Sequence, residues 1–156
     1  TRNQELCNNA TPVINSEEGT LYAEISALSS PPVTGFISVG EGGSASRKAS
    51  IYLEGTNIKA EYLFNGTQAS FTYIPSDITS FNKIAFTWKL NEFKMYANGL
   101  QVGVTDTSGS VAPANTFDKV VFNYGQGPLP FLGKIKSLQV YPKTLTDVQL
   151  EDLTTI

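Results

Sequence analysis

Apolar and polar side chains alternate one by one through most of this chain, and clusters of turn-forming residues cut the alternation into short runs. A period of two puts successive side chains on opposite sides of an extended strand, whereas a helix buries every third or fourth residue. Leu21, Ala23, Ile25 and Ala27 therefore share one side, and Tyr22, Glu24 and Ser26 the other. The same pattern predicts strands at Gly35–Val39, Ala49–Glu54, Ile58–Phe64, Ala69–Ile74, Lys83–Leu90, Phe93–Asn98, Asp118–Tyr124 and Lys134–Tyr141. Pro31-Pro32, Gly42-Gly43, Gly55-Thr56-Asn57, Asn65-Gly66, Asn91-Glu92 and Gly125–Pro130 separate them with residues that impose or tolerate turns. Asn98-Gly99 is the sharpest of these signals, since both residues accept the positive φ of a type I′ hairpin turn. One helix is legible, at the end. Thr146 is its N-cap, Gln149 completes a capping box, Leu145 precedes the cap, and Leu150 and Leu153 form the buried stripe. Many short strands with one late helix and no βαβ spacing predict an all-β, two-sheet antiparallel sandwich. The expectation is one domain over residues 18–156 behind an irregular lead-in over residues 1–17.

Composition then removes whole classes of function. The 156 residues suffice to bury a core without staples. Lys and Arg number 11 against 14 Asp and Glu, a net charge of −3 with no basic cluster, which excludes nucleic acid as a partner. No apolar run approaches the roughly 18 residues of a membrane span, so no membrane insertion is expected. His is absent, which removes Ser-His-Asp and Cys-His nucleophile activation and the commonest metal ligand. The single Cys7 can form neither an internal disulfide nor a cysteine zinc cage. A start at Thr1 without a signal peptide reads as a processed or partial form. Only 16% of residues are charged, and Ser, Thr, Asn and Gly fill the difference. Such a polar, uncharged surface suits an exported or particle-borne protein.

Strand parity sorts the side chains into an inside and an outside. Ile51, Leu53, Ile84, Phe86, Trp88, Leu90, Phe93, Met95, Ala97, Val120, Phe122 and Tyr124 form the predicted core. Trp88 is in phase with Ile84 and Phe86, so it reads as core rather than as a sugar-stacking platform. The opposite parity holds Tyr22, Glu24, Ser26, Thr87, Lys89 and Asn123 together with Tyr52, Glu54, Lys94, Tyr96 and Asn98. Flat rings stack the C–H faces of pyranoses, and amides, carboxylates and ammonium groups pair with their hydroxyls. The last five residues are therefore the candidate carbohydrate-binding set, expected on one exposed surface. An ordinary solvated sheet face carries the same alternation, and parity weighs the two equally.

Other chemistry is thinly represented. A retaining glycosidase needs two carboxylates about 5–5.5 Å apart, and no strand carries a same-parity pair. Asp106 and Asp118 are the candidates for a structural calcium ion, with Asp106 the one singled out. Neither loop has a dense Asp/Asn pattern, so a solvated turn is the favoured reading and no cofactor is expected. Asn9-Ala10-Thr11 and Asn65-Gly66-Thr67 match the glycan-acceptor pattern.

Three segments carry a family resemblance. Lys83–Trp88, Phe93–Gly99 and Val102-Gly103 resemble the strand–hairpin signature of the concanavalin A-like lectin/glucanase superfamily, and more narrowly of its laminin-G-like jelly-roll branch. Gly133–Tyr141 followed by Leu145-Thr146-Asp147, Leu150 and Leu153 resembles the ending of that branch, and Glu18–Ile25 its opening. The chain is similar to modules near the C-terminus of phage tail and other virion proteins and of secreted bacterial proteins. The resemblance implies a jelly roll over residues 18–156 with a curved open sheet. It also implies a place outside the cell or on a virion surface, with a polysaccharide or cell-surface glycan as partner and multivalency from a multimeric parent protein. The hydrolases of the superfamily carry Glu-x-Asp-x-(x)-Glu on one strand, and its lyases a Gln-Ile-His motif; this chain has neither, so no enzyme activity is expected. The leading expectation is non-catalytic glycan binding, as the host- or glycan-recognition part of a phage tail or other surface protein. The alternative is a structural or interaction module of a virion or adhesin assembly without a sugar ligand.

Overall fold

In the computed structural model the alternating runs form ten strands and one helix among the described residues, which are 13–30, 32, 34–42, 44–125 and 129–156. Strands β1 (Glu18–Ala27), β6 (Asn82–Lys89), β7 (Glu92–Ala97), β8 (Leu100–Gln101) and β10 (Gly133–Tyr141) make sheet A in the order β10-β1-β6-β7-β8. Strands β2 (Gly35–Gly40), β3 (Lys48–Glu54), β4 (Asn57–Leu63), β5 (Thr67–Tyr73) and β9 (Lys119–Val121) make sheet B in the order β5-β4-β3-β2-β9. All of these strand pairings are antiparallel, and the two sheets stack as a jelly-roll sandwich. Asn65, Asn91 and Asn98 adopt φ of 53°, 56° and 50° at three of the tight turns, the conformation for which Asn was read there. Cys7 and Asn9 lie outside the described residues, as does the interior of Gly125–Pro130.

The inner faces meet in one core. Leu21, Ala23 and Ile25 of β1 pack with Ile51, Leu53, Ile58, Ile84, Phe86, Phe93 and Met95, all fully buried. Trp88 is fully buried at one end of this core among Tyr62, Phe86 and Phe117, at ring centroid distances of 6.2–6.4 Å. Its Nε1–H donates to the carbonyl of Asn15 at 3.3 Å, so the one polar atom of the indole is paired. The residue opposite it on β1 is Gly19, and a Cβ there would lie 2.3 Å from Trp88 Cζ2. Glycine is needed at this position because the indole occupies the space a side chain would take.

Three core expectations fail, all where a strand ends. Leu90 is 59% exposed in the β6–β7 turn. β9 pairs with β2 only from Lys119 to Val121, and the chain then bends away. Parity lapses with the pairing, so Phe122 is 48% exposed and Tyr124 rests on the outer face of sheet B. The pairing of β1 with β10 also shifts between Glu24 and Ile25, a bulge that leaves Lys136 without a cross-strand partner.

Helix α1 (Asp147–Thr154) begins where its capping box places it. Gln149 N–H donates to Thr146 Oγ1 at 3.3 Å, and Thr146 N–H donates to Gln149 Oε1 at 2.9 Å. Leu150 is buried against Tyr22, Ala85 and Tyr96, with Tyr141, Leu145 and Leu153 around them. The helix thus lies on the outer face of sheet A and closes it.

Three stability outcomes follow from this packing and capping. Trp88→Ala should cost about 3–5 kcal/mol and Gly19→Ala about 1–3 kcal/mol, both read from urea midpoints. Thr146→Ala should cost about 1 kcal/mol through loss of the cap. A Gly19→Ala variant as stable as the parent would show that the indole has room to move.

Candidate functional site

A sandwich has two outsides, and parity does not say which one a residue faces. Tyr52 and Glu54 stand on the outer face of sheet B, and Lys94 and Tyr96 on that of sheet A, so the predicted surface does not exist as one surface. Tyr96 is 6% exposed beneath α1, its hydroxyl donating to Gln101 Oε1 at 3.4 Å. Lys94 bridges to Asp147 at 2.6 Å and Glu92 at 3.2 Å, tying β7 to the first turn of the helix. Burial opposes the charge on Lys94, but those two carboxylates outweigh it and hold the ammonium above the usual lysine range. Asn98 donates to Tyr73 Oη at 3.1 Å and Asn82 Oδ1 at 2.9 Å and accepts from Lys83 N–H at 2.9 Å. Its amide closes the hairpin end. These three residues hold the helix and the hairpin in place.

The outer face of sheet B is built differently. Register aligns its side chains in rows across the strands. One row runs Phe36, Tyr52, Lys59, Thr72, and the next runs Ser38, Ser50, Glu61, Ser70. Phe36 and Tyr52 stack with centroids 4.3 Å apart, and Tyr124 meets Phe36 edge-on at 4.8 Å. Lys48 projects into this cluster with its side chain 1% exposed. Its Nζ lies 3.1 Å from the Tyr124 centroid and 4.6 Å from that of Phe36, and donates to the Tyr124 carbonyl at 3.2 Å. Glu61 Oε1 is 3.4 Å from the same nitrogen yet is buried and accepts no hydrogen bond. Ser38 and Ser50 share a hydrogen bond of 2.9 Å beside it. Lys59 bridges to Glu54 at the rim. Burial, then the charges of Glu61 and Glu54, push the Tyr52 hydroxyl well above the usual phenol range. That hydroxyl has no hydrogen-bond partner among the described residues.

Tyr52 and Glu54 are thus found beside groups that sequence reasoning missed. Phe36, Lys48 and Glu61 were legible, because each is in phase with an outward neighbour on its own strand. Tyr124 was not, since it lies beyond the last paired residue of β9.

The remaining candidates serve turns. Asp106 Oδ1 accepts from the N–H and hydroxyl of Ser108 at 3.0 and 2.9 Å, and Asp118 Oδ1 accepts from Gly42 N–H at 2.6 Å. Among the described residues no three His, Cys, Asp or Glu side chains come together as a metal cage. Asn65 is exposed at the β4–β5 turn. Glu24 pairs with Lys136 at 2.8 Å on sheet A and so is separated by the whole sandwich from Glu54. No helix among the described residues is long and apolar enough to cross a membrane.

With two packed sheets, a terminal helix over one of them and an aromatic–polar cluster on the other, the architecture is that of a lectin-like jelly roll. The chain belongs to the concanavalin A-like lectin/glucanases superfamily, whose laminin-G model matches residues 3–151. No curated protein sequence matches it. Among solved structures it is similar to the CBM40 of Ruminococcus gnavus IT-sialidase bound to α2,3 sialyllactose, with 22% identity and a TM-score of 0.70 over 88% of this chain and 83% of that one. It is also similar to the leech intramolecular trans-sialidase, at 18% identity and a TM-score of 0.67, covering 90% of this chain but 24% of that longer one. The heptameric SAP-like pentraxin from Limulus polyphemus matches at 15% identity and a TM-score of 0.59, over 95% of this chain and 78% of that one. At these identities the likeness is one of fold.

Burial opposes the positive charge of Lys48 more than Glu61 favours it, which lowers its pKa from 10.5 to about 8. Between those two values the unfolded chain holds a proton that the folded chain has lost, so stability rises with pH across this window. Lys48→Met removes that dependence. The difference in melting temperature, variant minus parent, should therefore fall as pH goes from 7.5 to about 10. A difference that stays constant would show that Lys48 titrates as an exposed amine.

Proposed function

We propose that the chain is a non-catalytic glycan-binding module whose site is the outer face of sheet B around Tyr52 and Glu61. One observation carries this reading. Glu61 Oε1 is buried without a hydrogen bond, beside a Tyr52 hydroxyl that has no partner among the described residues and a stacked aromatic pair. A buried polar atom without a partner costs about 1–3 kcal/mol, and sugar hydroxyls both donate and accept. The two carboxylates of the face each lie against a lysine, an arrangement that suits them as acceptors of hydroxyl hydrogen bonds. Phe36 and Tyr52 are 5% and 7% exposed, so a ligand would reach them from the more exposed side formed by Glu54, Lys59 and Thr72. The Ruminococcus gnavus CBM40 structures bound to α2,3 and α2,6 sialyllactose support a glycan as the ligand class. An exported parent, a phage tail or another surface protein that presents several copies, is the setting in which weak single sites become adhesion, since avidity adds factors of about 10²–10⁴.

A second reading has its own observation. Phe122, Leu132 and Ile135 are 48%, 45% and 37% exposed on or beside the end strands β9 and β10, an apolar edge that suits an interaction module of a larger assembly.

The test is a glycan array probed with a multivalent display of the chain, followed by titration of the selected glycan. Single-site dissociation constants should fall between about 10 μM and 1 mM. Tyr52→Ala and Glu61→Gln should each weaken binding about 5- to 10-fold, the loss of roughly 1 kcal/mol of stacking or hydrogen bonding. Tyr96→Ala should instead lower the melting temperature and leave affinity unchanged. A silent array, with self-association at high concentration, would favour the interaction reading. Unchanged affinity in a folded Tyr52→Ala/Glu61→Gln double variant would remove the site from sheet B.

A further inference from the structure

The rows of sheet B lead to an open trough at its β5 edge. Lys59 pairs with Thr72 and Glu61 with Ser70, so both rows end on β5, where Ser70 and Thr72 are exposed. Beyond β5 lies a trough of about 510 Å³ whose far wall is the segment Val102–Thr107. That segment is pinned to β7 at its ends: Val102 N–H donates to Met95 O at 2.8 Å, and Asp106 and Phe93 exchange two hydrogen bonds of 2.9 Å. Between the pins, Gly103, Val104 and Thr105 donate no backbone hydrogen bond among the described residues. Gly103 has a φ of +69°, and a Cβ there would meet nothing within 4 Å, so the wall faces open space. Phe71, 8% exposed, forms the floor, and Val104, 81% exposed, offers an apolar lip.

Hydroxyls of Ser70, Thr72, Thr105 and Thr107, unpaired backbone groups and small apolar patches are the partners a sugar ring needs. Asp106 is the one charged residue of the lining, and no cation joins it, so the trough disfavours an anion. Strands are spaced by about 4.8 Å, so Tyr52 to the trough is roughly three spacings, about 14 Å. A pyranose unit is about as long as one such spacing.

On the reading that sheet B binds a glycan, we infer that the site is about three sugar units long, with uncharged units passing over β5 into the trough between Ser70–Thr72 and Gly103–Thr107. The Tyr52 end takes the terminal unit, and the trough discriminates by length and by charge.

The probes are free sialic acid, α2,3-sialyllactose and lactose, titrated into the isotopically labelled chain with amide shifts followed by NMR. Sialyllactose should shift amides both around Tyr52–Thr72 and at Gly103–Thr107 and bind about tenfold more tightly than sialic acid. Lactose should shift Gly103–Thr107 weakly. Thr107→Trp fills the trough from an exposed position and should reduce the affinity for sialyllactose to that for sialic acid, leaving the latter unchanged. Sialyllactose shifts confined to the Tyr52 face, or a length advantage that survives Thr107→Trp, would overturn the inference and leave the glycan reading standing. No response to any of the three probes would overturn it too, and the array then decides separately whether sheet B binds another glycan.

Discussion

Two packed sheets enclose one interior and expose two outer faces, and among the described residues a single helix is there to cover them. α1 is only Asp147–Thr154, yet it buries Tyr22, Ala85 and Tyr96 through Leu150 and is fastened at both ends. At its start Lys94 reaches Asp147, and at its end Lys83 Nζ donates to Thr155 O at 2.7 Å, while Gly99 N–H donates to Thr154 Oγ1 at 3.1 Å. An isolated helix of this length is not stable in water, so these contacts and its apolar stripe hold it. The consequence is an asymmetry between the faces. Aromatic residues on sheet A become a second small core under the helix, and those on sheet B pack around the buried Lys48 instead.

Sheet B keeps its aromatic cluster by placing a cation inside it. An ammonium taken out of water costs several kcal/mol, and Lys48 recovers part of this from Glu61, the Tyr124 carbonyl and two ring faces. The recovery is incomplete, which is why its proton leaves near pH 8 rather than 10.5. The gain is positional, because Tyr124 lies past the end of β9 and has no ladder to hold it. Lys48 fastens it over Phe36, and that contact walls one side of the face. On the other side no such wall exists, and the rows run out through Thr72 and Ser70 to the trough.

The period of two, the Asn-Gly turns and the Thr146 capping box fixed the strands, the helix and the position of Trp88 in the core, because each of these is a local or one-dimensional property. Register within a hairpin follows from its turn, whereas the bulge opposite Lys136 lies between β1 and β10, which no hairpin joins. Parity alone, however, cannot tell one outer face from the other. Tyr52 and Tyr96 look alike along the chain, yet one stacks on Phe36 and the other lies under α1. Which strands join which sheet depends on contacts between residues far apart in sequence, such as β1 with β6 and β10, and on where a terminal helix docks. The chain by itself therefore determined the sandwich and its inside. Only the tertiary structure decided which outside is sealed and which carries the candidate site, because that choice is made by packing across the whole molecule rather than by any local pattern.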